Sequence, residues 1–126
     1  RMSTLRYTRE HEWLRAEDDG SVTVGISDYA QDQLGDIVFV ELPEPGSAIE
    51  KESNVVIIES VKTVGEVHMP FDGKVVAVNE RLADEPEIVN GEPLDGGWLV
   101  RLEVDGDAGL DAYMDETAYA AFIADL

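Results

Sequence analysis

The chain has 126 residues and a net charge of −19, from 28 acidic against 9 basic residues, and 44% of it is apolar. This is enough apolar material for one self-sufficient core, and the surface is too acidic for phosphate-bearing partners, so nucleic acid and anionic membranes are set aside. Cysteine is absent and histidine is limited to His11 and His68, which removes disulfide frameworks, thiol nucleophiles and His-rich metal centres.

The opening "RMSTLRYTREHEW" has no hydrophobic segment of the secretory kind, and no apolar run is long enough to span a bilayer. Arg1 ahead of Met2 reads as an added residue. Residues 1–5 are expected to form a tail. Next, "EWLRA" and "SVTVGI" alternate with a β period around "EDDG", where Asp19-Gly20 predicts a hairpin turn. "SDYAQDQLGD" predicts a short helix capped by Ser27, with Asp28 at its positive end and Gly35 closing it in the left-handed conformation. "DIVFVELPEPGS" predicts a strand stopped by Pro43 and Pro45, which cannot donate ladder hydrogen bonds.

Two β-branched runs in "VVIIESVKTVGEVHMPFDG" (55–73) flank the polar step Glu59-Ser60-Val61-Lys62 and predict a hairpin with Lys62 at its tip. Val61 and Lys62 are not turn formers, so the turn must use backbone angles open to β-branched residues, such as type I. Gly46, sixteen residues before Lys62, and Gly73, eleven after it, are each expected to close a turn and frame the hairpin. "GKVVAVN" follows as a strand, with Val75 and Ala77 on one face and Val76 and Val78 on the other. Residues 82–97 are loop-like, with one helical turn opened by Pro86 and running to Asn90. "WLVRLEV" is the last strand. The segment 110–126 takes a helical period that places Met114, Ala118, Ala121 and Phe122 on one side, with Leu110 a turn earlier. The expected architecture is mostly β: one domain over 1–126, a small sandwich or barrel with short helices and a C-terminal helix.

A lysine at a hairpin tip is ordinarily a solvated charge. Here it also has the properties of a carrier mount: a rigid base, and an amine whose acylation would leave a long uncharged arm. Of the three lysines, Lys51 and Lys74 lie near turns and read as surface charges. The acidic surface has two readings, a solvated coat from an acid-biased or high-salt proteome, or steering toward basic partner faces.

"GISDYAQDQLGDIVFVELPEPG", "ESVKTV", "EPEIVN" and "GWLVRL" together resemble the H protein of the glycine cleavage system, in order and spacing, from about Tyr7 to the C-terminus. The resemblance implies a two-sheet barrel-sandwich hybrid of the lipoyl-domain kind. It implies a non-catalytic carrier, with lipoic acid in amide linkage on Lys62 and a motif of Glu59, Ser60 and Val61 beside it. The arm would receive an aminomethyl group at a pyridoxal-phosphate glycine decarboxylase. It would then serve a tetrahydrofolate-dependent aminomethyltransferase and be reoxidised by dihydrolipoamide dehydrogenase, after a lipoate-attaching enzyme had loaded Lys62. The resemblance further implies an arm cleft formed by Glu12, Leu34 and Glu66, no metal, a monomer, and the bacterial cytoplasm, or the mitochondrial matrix if the source is eukaryotic. The acidic, Ala- and Asp-rich chain favours the bacterial setting.

The chain departs from the family's habit at Thr63-Val64-Gly65 and at His68. His68 and His11 are read as structural, and Trp13 and Trp98 as core aromatics with hydrogen-bonded indoles. A body without cysteine also offers a dithiol arm no internal partner for a mixed disulfide. Four other roles compete with this one. Relay of lipoyl groups to other enzymes would use the same Lys62. Biotin carriage is disfavoured because Val61 and Thr63, rather than methionines, flank that lysine. An independent enzyme lacks any nucleophile motif or phosphate loop. An unmodified interaction module would have had no reason to keep "ESVK".

Overall fold

The computed structural model describes residues 5–104 and 109–126, so most of the expected N-terminal tail lies outside the described residues. Leu5 already belongs to a strand. The strands are β1 (Leu5–Tyr7), β2 (Glu12–Ala16), β3 (Val22–Ile26), β4 (Ile37–Glu41), β5 (Ala48–Ile49), β6 (Asn54–Ser60), β7 (Val64–His68), β8 (Gly73–Val78) and β9 (Val100–Glu103). The helices are α1 (Asp28–Leu34), α2 (Ile88–Gly91) and α3 (Glu116–Ala124), with 3-10 turns at Glu80–Ala83 and Leu110–Ala112. Two antiparallel sheets result, one ordered β1-β2-β3-β9-β8-β5 and the other β4-β6-β7. The mostly-β, two-sheet expectation holds, and the sheets stay open rather than closing into a barrel.

Turn chemistry sets much of this. Between β2 and β3, Gly20 takes φ +90° while the Asp19 carboxylate accepts from the Ser21 amide at 2.9 Å and hydroxyl at 2.6 Å. Gly25 sits opposite Trp13, where a Cβ would fall 2.5 Å from the indole, so the bare backbone of β3 makes room for that ring. Trp13 is fully buried and its indole N–H donates to the Pro93 carbonyl at 2.7 Å, whereas Trp98 is half-buried with Arg101 stacked 5.4 Å above it. The main core lies between the sheets around Leu14, Val24, Ile58, Met69, Val75 and Leu102. Each such side chain contributes about 1.5–3 kcal/mol by leaving water.

Three details differ from the sequence reading. In β8 a register shift between Val75 and Ala77 leaves Val76 exposed and turns Val78 back toward the core with Val75, so strict alternation fails. Gly73 closes no turn: it pairs with Ile49, and a Cβ there would lie 2.6 Å from the Glu103 carbonyl oxygen, so close strand approach requires it. Gly46 does take a turn conformation, with φ +94°. On α3 the inward face is Tyr119, Phe122 and Ile123, while Ala118 and Ala121 are exposed and Met114 precedes the helix. Tyr119 stacks on Tyr7 with centroids 4.3 Å apart, and Tyr7 and Met114 exchange both backbone hydrogen bonds. The C-terminal segment is thereby fastened to β1 and closes a second cluster over Trp13.

Candidate functional site

Lys62 occupies the β6–β7 connection, as expected. Neither Val61, Lys62 nor Thr63 needs a positive φ, in keeping with a turn open to β-branched residues. Ser60 locks the turn. Its hydroxyl accepts from the amides of Lys62 at 3.3 Å and Thr63 at 3.1 Å, and donates to the Thr63 carbonyl at 3.2 Å. The Ser60 amide also donates to that carbonyl at 2.8 Å. The serine supplies local bonds that Val61 and Lys62 cannot, which is the physical reason for a hydroxyl at this position.

The turn is also tied to the rest of the protein. Ser27 caps α1 by accepting from the Ala30 amide, and Gly35 ends it with φ +84° and ψ −160°; this is positive φ but not the left-handed helical conformation expected. The next residue, Asp36, accepts at its carbonyl from the Val61 amide at 2.9 Å. Asn90, at the end of α2, grips this connection. Its side-chain amide donates to the Gly35 carbonyl and the Gln31 side chain, and its oxygen accepts from the Ile37 amide, all at 2.9 Å. Asn90 belongs to the "EPEIVN" segment, and the sequence does not signal its clamp, because a loop amide carries no periodic pattern. The aliphatic stem of Lys62 lies over Gly35, where a Cβ would meet its Cε at 3.1 Å. Gly35 therefore leaves the lysine its path.

Beside Gly35, Leu34 begins the wall of a cavity of ≈ 210 Å³ between α1 and β7. Leu34, Ile58, Gly65 and Val67 form apolar wall, and Glu10, Glu12 and Glu66 supply acid. The structure thus brings the expected Glu12, Leu34 and Glu66 together, while Glu59, Ser60 and Val61 stay with the hairpin tip. Gly65 is what lets Leu34 pack close, since a Cβ there would be 3.0 Å from the leucine Cδ2. Glu66 accepts from the Asn54 side chain across the strand pair at 2.7 Å.

Glu12 is the unusual member. It is only 2% exposed, accepts from the Thr8 hydroxyl at 3.1 Å, and meets a second donor in the His68 backbone N–H. Burial dominates over both donors, with Glu10 and Glu52 adding repulsion, and the carboxyl is pushed from 4.5 up to about 8. At neutral pH it is mostly a neutral acid. A second cavity, ≈ 460 Å³, opens on its other side toward Glu52, Tyr113 and Met114.

His11 forms part of the cavity wall. It has φ +72°, shares a 2.8 Å hydrogen bond through Nδ1 with the Tyr119 hydroxyl, and lies against Tyr29 and Phe122. Burial lowers its pKa, which keeps the ring neutral. The Tyr119 hydroxyl also meets the Ser27 hydroxyl at 2.6 Å, joining the cavity wall to the α1 cap. His68 is half-buried with Nδ1 3.5 Å from Glu10. Lys51 and Lys74 are exposed and lie off the β6–β7 turn, with Lys51 lining the second cavity. Among the described residues no cluster of His, Cys, Asp and Glu suits a metal, and no helix is long and apolar enough to cross a membrane.

Comparison with known proteins agrees with this geometry. Residues 5–126 match the family described as Glycine cleavage H-protein. The glycine cleavage system H proteins of Salmonella paratyphi C (strain RKS4594) and Escherichia coli O9:H4 (strain HS) are each 46% identical to the chain over 121 residues, covering 96% of it and 94% of the relative. A crystal structure of a glycine cleavage system H protein from Mycobacterium marinum superimposes with a TM-score of 0.85 at 32% identity, over 98% of this chain and 99% of that one. The chain belongs to the family of glycine cleavage H-proteins, the lipoyl carriers of the glycine cleavage system.

Proposed function

We propose that Lys62 is the residue that bears the lipoyl group, and that the cavity bounded by Leu34, Gly65 and Glu66 and ended by Glu12 shelters the loaded arm. One observation carries this reading: an exposed lysine on a turn fixed by Ser60, Asp36 and Asn90, next to an acid-ended apolar cavity. The residues fit such a group. Gly35 leaves the lysine stem its path, apolar walls suit an alkyl arm, and a buried carboxyl suits an amine at its end. When bound, the lipoyl group would supply a disulfide able to take the aminomethyl group on one sulfur and release the other as a thiol; it would become a dithiol only once that group has been passed on.

The chain's own residues do the holding. Leu34 and Val67 exclude water from the arm, and Glu12, protonated while the cavity is empty, gives up its proton to pair as a carboxylate with the cationic amine when the arm enters. Glu10 and Glu66 bias the mouth toward cations. In this reading the partners are the pyridoxal-phosphate decarboxylase, the tetrahydrofolate-dependent aminomethyltransferase, dihydrolipoamide dehydrogenase and a lipoate-attaching enzyme. The protein works as a monomer in the bacterial cytoplasm and has no catalytic residues of its own. The 1–126 chain acts as one carrier unit.

Intact mass of the protein from its native host is the test. One lipoyl addition is expected, and it disappears in Lys62→Arg. An unmodified wild-type protein, or a modification that survives the substitution, overturns the assignment.

A further inference from the structure

The sheet β4-β6-β7 turns an apolar row outward beside Lys62. Phe39 pairs with Glu59, and Glu59 pairs with Val64, so the three side chains share one face in one cross-strand line. Phe39 is 46% and Val64 60% exposed. The register shift between Ile37 and Phe39 leaves Val38 exposed as well, between the buried Ile37 and Val40. Val61 at the tip is 69% exposed. Four large apolar side chains thus gather around one end of a three-stranded sheet, on a protein whose net charge is −19. Clustered apolar exposure of this kind marks an interaction surface, whereas single exposed residues do not.

The reach of Lys62 indicates what covers it. An enzyme that acylates the bare lysine must bring its reacting carbon to Nζ, at the end of four methylenes. It cannot stand off from the hairpin. Partners that meet the completed arm reach a reactive end much farther out, and their bodies need not touch β6 and β7. We propose that the row Phe39–Glu59–Val64, with Val38 and Val61 beside it, is the surface gripped by the lipoate-attaching enzyme. That enzyme would present an apolar shelf with a basic group opposite Glu59. In the reaction served, Nζ attacks the acyl carbon of an activated lipoyl donor; an amide bond forms, and the donor's leaving group and a proton depart. This inference rests on Lys62 as the attachment residue and extends recognition beyond the "ESVK" step to β4 and to Val64.

The test measures acylation of Lys62 by a purified lipoate–protein ligase with lipoate and ATP, read by intact mass at several carrier concentrations. Phe39→Asp and Val64→Asp are expected to lower kcat/KM at least tenfold, mainly through KM, and Glu59→Gln to remove most of its salt dependence. Val76→Asp, at another exposed valine, on β8 in the other sheet, is expected to leave it unchanged. Urea midpoints establish that the variants are folded. Where Val64→Asp is not, the near-isosteric Val64→Thr keeps the strand and is expected to give a smaller loss in the same direction. Unchanged acylation in the folded patch variants overturns the inference. So does normal acylation with slowed glycine decarboxylation, which assigns the row to the decarboxylase. A wild-type dimer converted to monomer by these substitutions, with acylation unchanged, assigns it to a second copy of the chain. Acylation that persists in Lys62→Arg is a different failure: it removes the attachment residue itself.

Discussion

Glu12→Gln separates what folding tolerates from what cargo needs. Glu12 is 2% exposed and its carboxyl is raised from 4.5 to about 8 by burial, against the Thr8 and His68 donors. The folded state therefore holds a proton that the unfolded chain gives up. The stability this proton provides is complete below pH 4.5, falls as pH rises, and is lost once pH passes about 8. At about 1.4 kcal/mol per tenfold change in proton affinity, the loss is about 3 kcal/mol at pH 7 and approaches about 5 kcal/mol above pH 9. Glutamine keeps the shape, accepts from the Thr8 hydroxyl and never ionises. Urea unfolding of the two unloaded proteins, followed by tryptophan fluorescence, should give stabilities within about 1 kcal/mol at pH 5. The variant should be the more stable by about 3 kcal/mol at pH 7, with a wider gap at pH 9. Other ionisable groups are common to both proteins and cancel in the difference. A gap that stays constant with pH refutes the argument. The same variant, once lipoylated and loaded, should lose its aminomethyl group faster than wild type.

Two further substitutions probe the mount and the cavity. Asn90→Ala removes three hydrogen bonds at the α1–β4 connection and should cost about 2–3 kcal/mol by urea unfolding, with faster hydrogen exchange at the Ile37 and Val61 amides; unchanged exchange at Val61 would show that the tip does not depend on the clamp. Gly65→Ala places a Cβ 3.0 Å from the Leu34 Cδ2, a side-chain end that can yield. It should change stability by no more than about 1 kcal/mol yet speed loss of the loaded amine, and equal retention would remove this wall from the cargo site.

The sequence disclosed those elements whose periodicity agrees with their environment. The 54–68 hairpin was legible because β-branched runs on both sides admit little else, and α1 because a cap residue and a glycine bracket it. The inward face of α3 was misread because its alanines suggested a stripe, while burial follows Tyr119 stacking on Tyr7. Alternation failed in β8 because a bulge adds a residue that no pattern announces. At the site, resemblance supplied Glu12, Leu34 and Glu66 as neighbours, but nothing in "REHEW" signals that one of its acids is nearly sealed from water. Glutamate is usually exposed, and its burial here depends on β7, which is far away in sequence, as well as on the neighbouring Thr8.

With the arm on Lys62 as proposed, the position of Leu34 next to Gly35, and so next to the lysine stem, would make docking of the arm an intramolecular event. A ligand tethered by a short flexible link experiences an effective concentration in the millimolar range whatever the amount of protein in solution. A cavity that binds free amine only at millimolar levels would then hold its own arm about half the time, and a few favourable contacts would make retention nearly complete. Weak intrinsic affinity also leaves the arm easy to withdraw, so each partner needs only modest competing contacts to take it. A lysine mounted beside its own shelter, as proposed, would thus reconcile protecting a labile cargo with surrendering it.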